Sequence, residues 1–208
     1  MPVALKGSTS GQVTLDVPSA AGTNTLTLPA KTGNIITSAD SGTVTQTMMA
    51  SGVAGNGPAV IAYGGSATSY STSTNTRVAF NTKVYDTGGC FNNTGSTTTL
   101  NGISVPAYCF APNVAGFYLV AFGAQANLGS ASQIFESYID KNNSVFAYGN
   151  FCLSDGNGYA STSASSIIYL NGTSDYVAGG AWQGTGSTRT GSTGQAAVWF
   201  TASLLRSA

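Results

Sequence analysis

Apolar and polar positions in this chain alternate in short bursts and seldom recur at every third or fourth place, so the pattern predicts strands and almost no helix. In TRVAFNTKVYD, residues 76–86, Val78, Phe80 and Val84 fall on one face and Arg77, Asn81 and Lys83 on the other, as in a half-buried strand. ESYIDKNNSVFAYGN predicts two strands joined at Lys141 to Ser144, and SSIIYLNGTSDYVAGGAWQ two more around a turn at Asn171 to Ser174. QAAVWFTASLL predicts the last strand. Gly, Ser, Thr and Asn punctuate these bursts about every eight to twelve residues, the spacing of an all-β sandwich. CFAPNVAGFYLVAFGAQA, Cys109 to Ala126, breaks the alternation: nearly every side chain after Gly116 is apolar, so both faces of that strand need a cover.

Residues 1–57 read differently from 58–208. Short alternating pieces, Val13-Leu15-Val17 and Leu26-Leu28, are separated by Pro18 and Pro29, and no aromatic residue precedes Tyr63. Such a segment closes no core alone and is expected to order against partners. MMASGVAGNGP, Met48 to Pro58, reads as the linker, with Gly52, Gly55 and Gly57 loosening the backbone. The opening residues MPVALKGSTSG lack the basic-then-apolar plan of a secretory signal, so export by that route is not expected.

Charge narrows the functional classes. Of 208 residues only 7% are charged, seven of each sign, so the clustered Lys and Arg of a nucleic-acid or anionic-lipid binder are missing. No apolar run approaches the roughly 20 residues that span a bilayer as a helix, and no membrane insertion is expected. Polarity comes instead from Ser, Thr, Asn and 27 glycines, a surface that packs against copies of itself without desolvating charge.

The inventory for chemistry is thin. Histidine is absent, which removes the commonest general base and metal ligand, and no enzyme activity, cofactor, metal or catalytic residue is expected. Glu136 and Asp140 would be the carboxylate pair of a glycosidase, but on strands they read as surface charge. SDGNGY, Ser154 to Tyr159, is oxygen-rich yet lacks the further acids that calcium needs, and reads as a hairpin tip. Cys90 and Cys109 flank a loop and each abuts an aromatic residue, which suits neighbouring strands: they are either a disulfide with Cys152 free, or small buried hydrophobes. The ten tyrosines and two tryptophans could stack on sugars, or fill core and subunit interface.

From about Pro58 the strand texts resemble the globular head of complement's first component, in the tumour necrosis factor-like superfamily. The resemblance runs through Phe80-Asn81, Cys90-Phe91, Phe110, Pro112, GFYLVAF (Gly116 to Phe122), YIDKNNS, YLNGTSDYV (Tyr169 to Val177) and FTASLL (Phe200 to Leu205). Ser174 and Ala202 stand where that family favours Gly. It implies a homotrimeric jelly roll in which Tyr118, Val120 and Phe122, or their alternate neighbours, are covered by two sister subunits. GSTSGQVTLDVPSAAGTNTLTLPAKTGNI is similar to a segment recurring in tail-fibre and other virion proteins of bacteriophages. Together the two resemblances imply a homotrimeric tail fibre of the virion, made in the host cytoplasm. Its N-terminal arm would bind other virion proteins and its head a host surface glycan or protein. A capsid decoration or cement protein is the alternative, and a cellular adhesin a third.

Overall fold

The computed structural model describes residues 3–6, 9–10, 12–15 and 55–208. The chain divides into Met1–Thr43 and Val44–Ala208, so the expected boundary at 57 falls inside the second unit. In the first unit β1 (Val3–Lys6) and β2 (Gln12–Leu15) pair antiparallel, Val3 opposite Leu15 and Lys6 opposite Gln12. The expected pieces at Val17 and Leu26-Leu28, and most of the linker, lie outside the described residues.

The second unit is built of strands, and among the described residues there is no helix. In chain order they are β3 (Ala59–Tyr63), β4 (Ser69–Tyr70), β5 (Thr76–Arg77), β6 (Thr82–Asp86), β7 (Thr98–Leu100), β8 (Ile103–Val105), β9 (Gly116–Asn127), β10 (Ile134–Lys141), β11 (Ser144–Leu153), β12 (Tyr159–Leu170), β13 (Val177–Gln183), β14 (Arg189–Gly191) and β15 (Trp199–Ser207). A seven-stranded sheet runs β4-β14-β9-β15-β3-β6, with β12 on the other edge of β9, and a four-stranded sheet runs β11-β10-β13-β5. β7 and β8 form a separate hairpin. Its turn is Asn101-Gly102, both at positive φ (50° and 81°), the two-residue loop whose twist matches the flanking strands.

β9 organises the sandwich. β12 pairs along its whole length, from Gly116 opposite Leu170 to Asn127 opposite Tyr159. On its other edge β15 pairs from Gly116 to Gly123, and β14 takes over at Ala126 and Asn127. Alternation sends Tyr118, Val120 and Phe122 into the core, with Phe200, Ala202 and Leu204 of β15 beside them and Phe135, Ile139 and Val177 contributed by the other sheet. Rings close the centre: Phe80 lies 6.1 Å from Phe122 and 5.3 Å from Phe200, and Phe91 lies 5.4 Å from Phe200. Phe122 lies so close to Gly179 of β13 that a Cβ there would stand 2.5 Å from the ring, so the position admits glycine alone without a shift.

Where the chain changes sheet, simple alternation fails. The expected strand over residues 76–86 is two strands in different sheets, β5 and β6, with residues 78–81 between them. Val78 and Phe80 are buried as expected, but Val84 is 55% exposed, because the β3–β6 pairing shifts register between Ile61 and Ala62. Asn81 holds the crossing by accepting from the Gly65 amide at 2.7 Å. The Lys141–Ser144 join is a tight hairpin, with Asn142 and Asn143 at φ 53° and 63°. Those are the left-handed conformations that Asn tolerates. The turn at 171–174 instead carries the chain from β12 in one sheet to β13 in the other, with Asn171 Oδ1 accepting from the amides of Thr173, Ser174 and Asp175.

A side-chain seam joins the sheets where β11 meets β12. Ser137 Oγ donates to the Ser163 carbonyl at 2.7 Å, Asn150 Oδ1 accepts from the Ser163 amide at 2.7 Å, and Thr162 Oγ1 donates to the Asn150 carbonyl. Gly149 permits the approach, since a Cβ there would sit 2.2 Å from the Ser163 oxygen.

Phe200→Ala is expected to cost about 3–5 kcal/mol in denaturant unfolding, because it empties the centre of the ring cluster. Val84→Thr should change stability by no more than about 0.5 kcal/mol, being a surface position; a loss as large as that of Phe200→Ala would restore Val84 to the core.

Candidate functional site

The residues expected at the trimer interface are not on a surface. Tyr118, Val120 and Phe122 are each fully buried within the single chain, where Tyr118 donates its hydroxyl to the Val114 carbonyl at 2.7 Å. This corrects the named set and leaves their alternate neighbours: Phe117 is 43% and Leu119 41% exposed. The long apolar run therefore covers its inner face with its own core and leaves the other face open.

That open face continues across the sheet. Phe117 stands opposite Tyr169 and Leu119 opposite Ile167, and the Phe117 and Tyr169 rings are 5.5 Å apart. On the far side of β15, Thr201 stands opposite Ile61, and Ile61 opposite Tyr85. Ile61, Ile167, Tyr169 and Tyr85 are all exposed. Across β9, β12 and β15 only Arg206 carries charge. Toward the other end the same face turns to hydroxyl and amide groups, where Gln125 donates to Ser161 Oγ at 3.0 Å and accepts from Ser192 Oγ at 2.8 Å. The surface is apolar at one end, polar and uncharged at the other.

The opposite face of the sandwich carries a cleft of about 290 Å³ lined by Asn75, Arg77, Tyr138, Asp140, Asn143 and Val145. Arg77 of β5 and Asp140 of β10 meet there at 2.7 Å, and Arg77 also donates to Asn143 Oδ1 at 2.9 Å and to the Ala107 carbonyl. Glu136 and Asp140 do not converge as a carboxylate pair: Asp140 is held by Arg77, and Glu136 lies between Phe151 and Trp182 in the cross-strand register. Asp155 is likewise occupied, accepting from the amides of Asn157 and Tyr159 at 2.9 Å, so its oxygen shapes the 154–159 turn. That turn is no hairpin tip, since β11 and β12 belong to different sheets.

Cys90 and Cys109 do lie on neighbouring segments, as Phe91 bridges Phe110 between them. The Cys90 carbonyl accepts from Ala111 and the Cys109 carbonyl from Asn92, which sets the two cysteines on a diagonal of the ladder. Diagonal Cβ atoms are about 7 Å apart, against about 4 Å in a disulfide. All three cysteines are free thiols, so of the two readings the structure holds the buried-hydrophobe one. Cys109 packs in a second small core with Ile103, Val105, Ala111 and Ala178. Burial, eased only in part by Arg77, pushes its thiol up to about 12. Burial likewise pushes Tyr138 up to about 12. Burial works to raise the Asp175 carboxyl too, but hydrogen bonds from Asn142, Lys141 and the Asn171 amide overcome it and hold the group below the usual carboxylate range.

Sequence reasoning passed over Asn92. Its buried amide donates to the carbonyls of Ser96, Val105 and Pro106 and its oxygen accepts from Thr94, which ties down the long loop after Phe91. The Asn101-Gly102 dipeptide was the signal that this loop contains a hairpin.

The sequence matches no known family profile and no curated protein. Its shape does have solved counterparts. Murine APRIL overlays with a TM-score of 0.51 at 10% identity, covering 71% of this chain and 98% of that one. The globular domain of zebrafish complement 1qA overlays at 0.50 and 16% identity, covering 73% and 98%. The fold is a jelly roll of the tumour necrosis factor and C1q kind. PRD1 vertex protein P5 overlaps with a TM-score of only 0.39 at 14% identity, covering 72% and 97%, a likeness too weak to argue from.

Alkylation of the native protein is expected to modify Cys152, which is only partly buried, ahead of Cys90 and Cys109, and all three after unfolding. Peptide mapping showing a bridge between Cys90 and Cys109 would contradict it. The raised thiol and phenol also set a pH dependence. Folded Cys109 keeps its proton up to about 12 while the unfolded thiol loses it near 9.0. The unfolded chain then binds fewer protons, so stability falls as pH rises. The melting temperature should therefore decline between about pH 9 and about pH 12; a flat profile there would remove the buried thiol as its cause.

Proposed function

We propose that this chain is a structural virion protein of a bacteriophage, a homotrimeric tail fibre with an adhesive jelly-roll head and no catalytic step, cofactor or essential metal. One observation carries the reading. The seven-stranded sheet exposes Phe117, Leu119, Ile167, Tyr169 and Ile61 on one nearly uncharged face, and a contiguous patch of that kind marks an interaction surface. Sister subunits around a three-fold axis would cover it, and the absence of charge on β9, β12 and β15 apart from Arg206 removes the desolvation cost of doing so. The N-terminal resemblance to a recurrent phage virion segment supports a docking role for residues 1–57, which would add order by pairing with a partner's sheet. The head would then face outward to the host surface.

Two measurements test this. Light scattering should report a trimer for the wild type and a folded, soluble monomer for Leu119→Asp, while Tyr118→Asp unfolds because its charge enters the core; a wild-type monomer at micromolar concentration would refute the assembly. A chain starting at Pro58 should remain a folded trimer and fail to join particles. Incorporation of that truncated head would move the docking surface onto the jelly roll and favour capsid decoration.

A further inference from the structure

We propose that the cleft on the four-stranded sheet is a binding site for a neutral saccharide. It rests on the reading of the head as the outward-facing part of the protein, and supplies the chemistry of what that head meets. The floor is the Arg77–Asp140 pair, whose charges cancel. Phosphates and acidic ligands therefore find no net positive charge, and a cation finds a single carboxylate already held. What remains is hydrogen-bonding capacity of both senses. Asp140 Oδ1 and Arg77 Nε are buried without a partner. At the rim, Asn143 spends its oxygen on Arg77, leaving its amide N–H groups to donate outward, and Asn75 is exposed beside it. Closely spaced donors and acceptors without net charge match vicinal hydroxyls, each of which donates and accepts at once.

The apolar half of the site lies on the same face. Tyr138 lies across Gly180, where a Cβ would stand 2.1 Å from its Cζ, and Tyr148 stands opposite Tyr138 on β11. Tyr148 and Phe151 are 65% and 64% exposed, and Val145 closes the side of the cleft. Flat amphipathic rings next to a polar cleft suit a pyranose, which has one apolar C–H face and an equatorial belt of hydroxyls. The volume, about 290 Å³, is at the small end for ligand sites and fits one sugar unit of a longer chain. The Asn142-Asn143 turn is what presents the rim amide, since the left-handed conformation at Asn143 aims its side chain back at Arg77.

Saturation-transfer NMR on the full chain, with neutral oligosaccharides of glucose, galactose and mannose and with sulfated and sialylated counterparts, tests the assignment. Transfer to ring protons of at least one neutral saccharide is expected. Asn75→Ala combined with Asn143→Gly should weaken it at least tenfold, glycine being chosen because it keeps the turn. Tyr148→Ala should weaken it as well, whereas Val84→Thr on the other sheet should bind as wild type. Melting temperature and oligomeric state, recorded on the same variants, should be unchanged. No transfer from any neutral saccharide, binding of charged saccharides alone, equal loss in Val84→Thr, or unaltered binding in the double variant would each overturn the site. Failure with the trimer intact rejects the cleft and leaves the assembly standing.

Discussion

The pairing of β9 on both edges is the constraint on which the rest depends. Twelve residues are fixed against β12 on one side and against β15 and β14 on the other. A slip of one residue would turn Tyr118, Val120 and Phe122 outward and Phe117 and Leu119 inward, exchanging the core for the surface. No compensating slip in a single neighbour could repair it. The open apolar face and the packed centre are thus two consequences of one register, and the interface proposed for self-association cannot be altered at the backbone level without dismantling the fold.

Scarcity of charge shapes the second level of organisation. Arg77 joins Asp140 and Lys141 joins Asp175 across separate segments, while Lys83 joins Asp86 within β6. Lys141 also reaches the Tyr169 carbonyl at 2.7 Å, linking β10 of one sheet to β12 of the other. With ions spent internally, the surface is left to hydroxyls, amides and rings. Association by such surfaces responds weakly to ionic strength, since there is little charge to screen.

The strands were largely legible because alternation and turn chemistry agreed. Asn142-Asn143 marked a hairpin, and β9 and β15 stood out as apolar runs. What the pattern could not carry was sheet membership. Residues 76–86 look like one strand because alternation is blind to the gap between sheets, and the parity that points Val84 inward is broken by the bulge at Val84 itself. The same blindness left open which alternate of β9 faces outward: in a strand apolar on both faces, nothing local distinguishes Tyr118 from Phe117. The Arg77–Asp140 cleft was illegible for another reason. Its members are 63 residues apart, and neither residue stands in a pattern of its own.

The seam between β11 and β12 has a consequence for how growth is limited. An outer strand edge is ordinarily a template onto which another chain can add, layer upon layer. Here Ser137 and Asn150 occupy the carbonyl and amide of Ser163 on β12, and Thr162 donates to the Asn150 carbonyl on β11, so at this point both strands are capped by side chains that cannot propagate a ladder. A protein so rich in β-structure and so poor in repelling charge would otherwise be open to end-to-end polymerisation. At Ser163 an added strand would find no free backbone group to pair with.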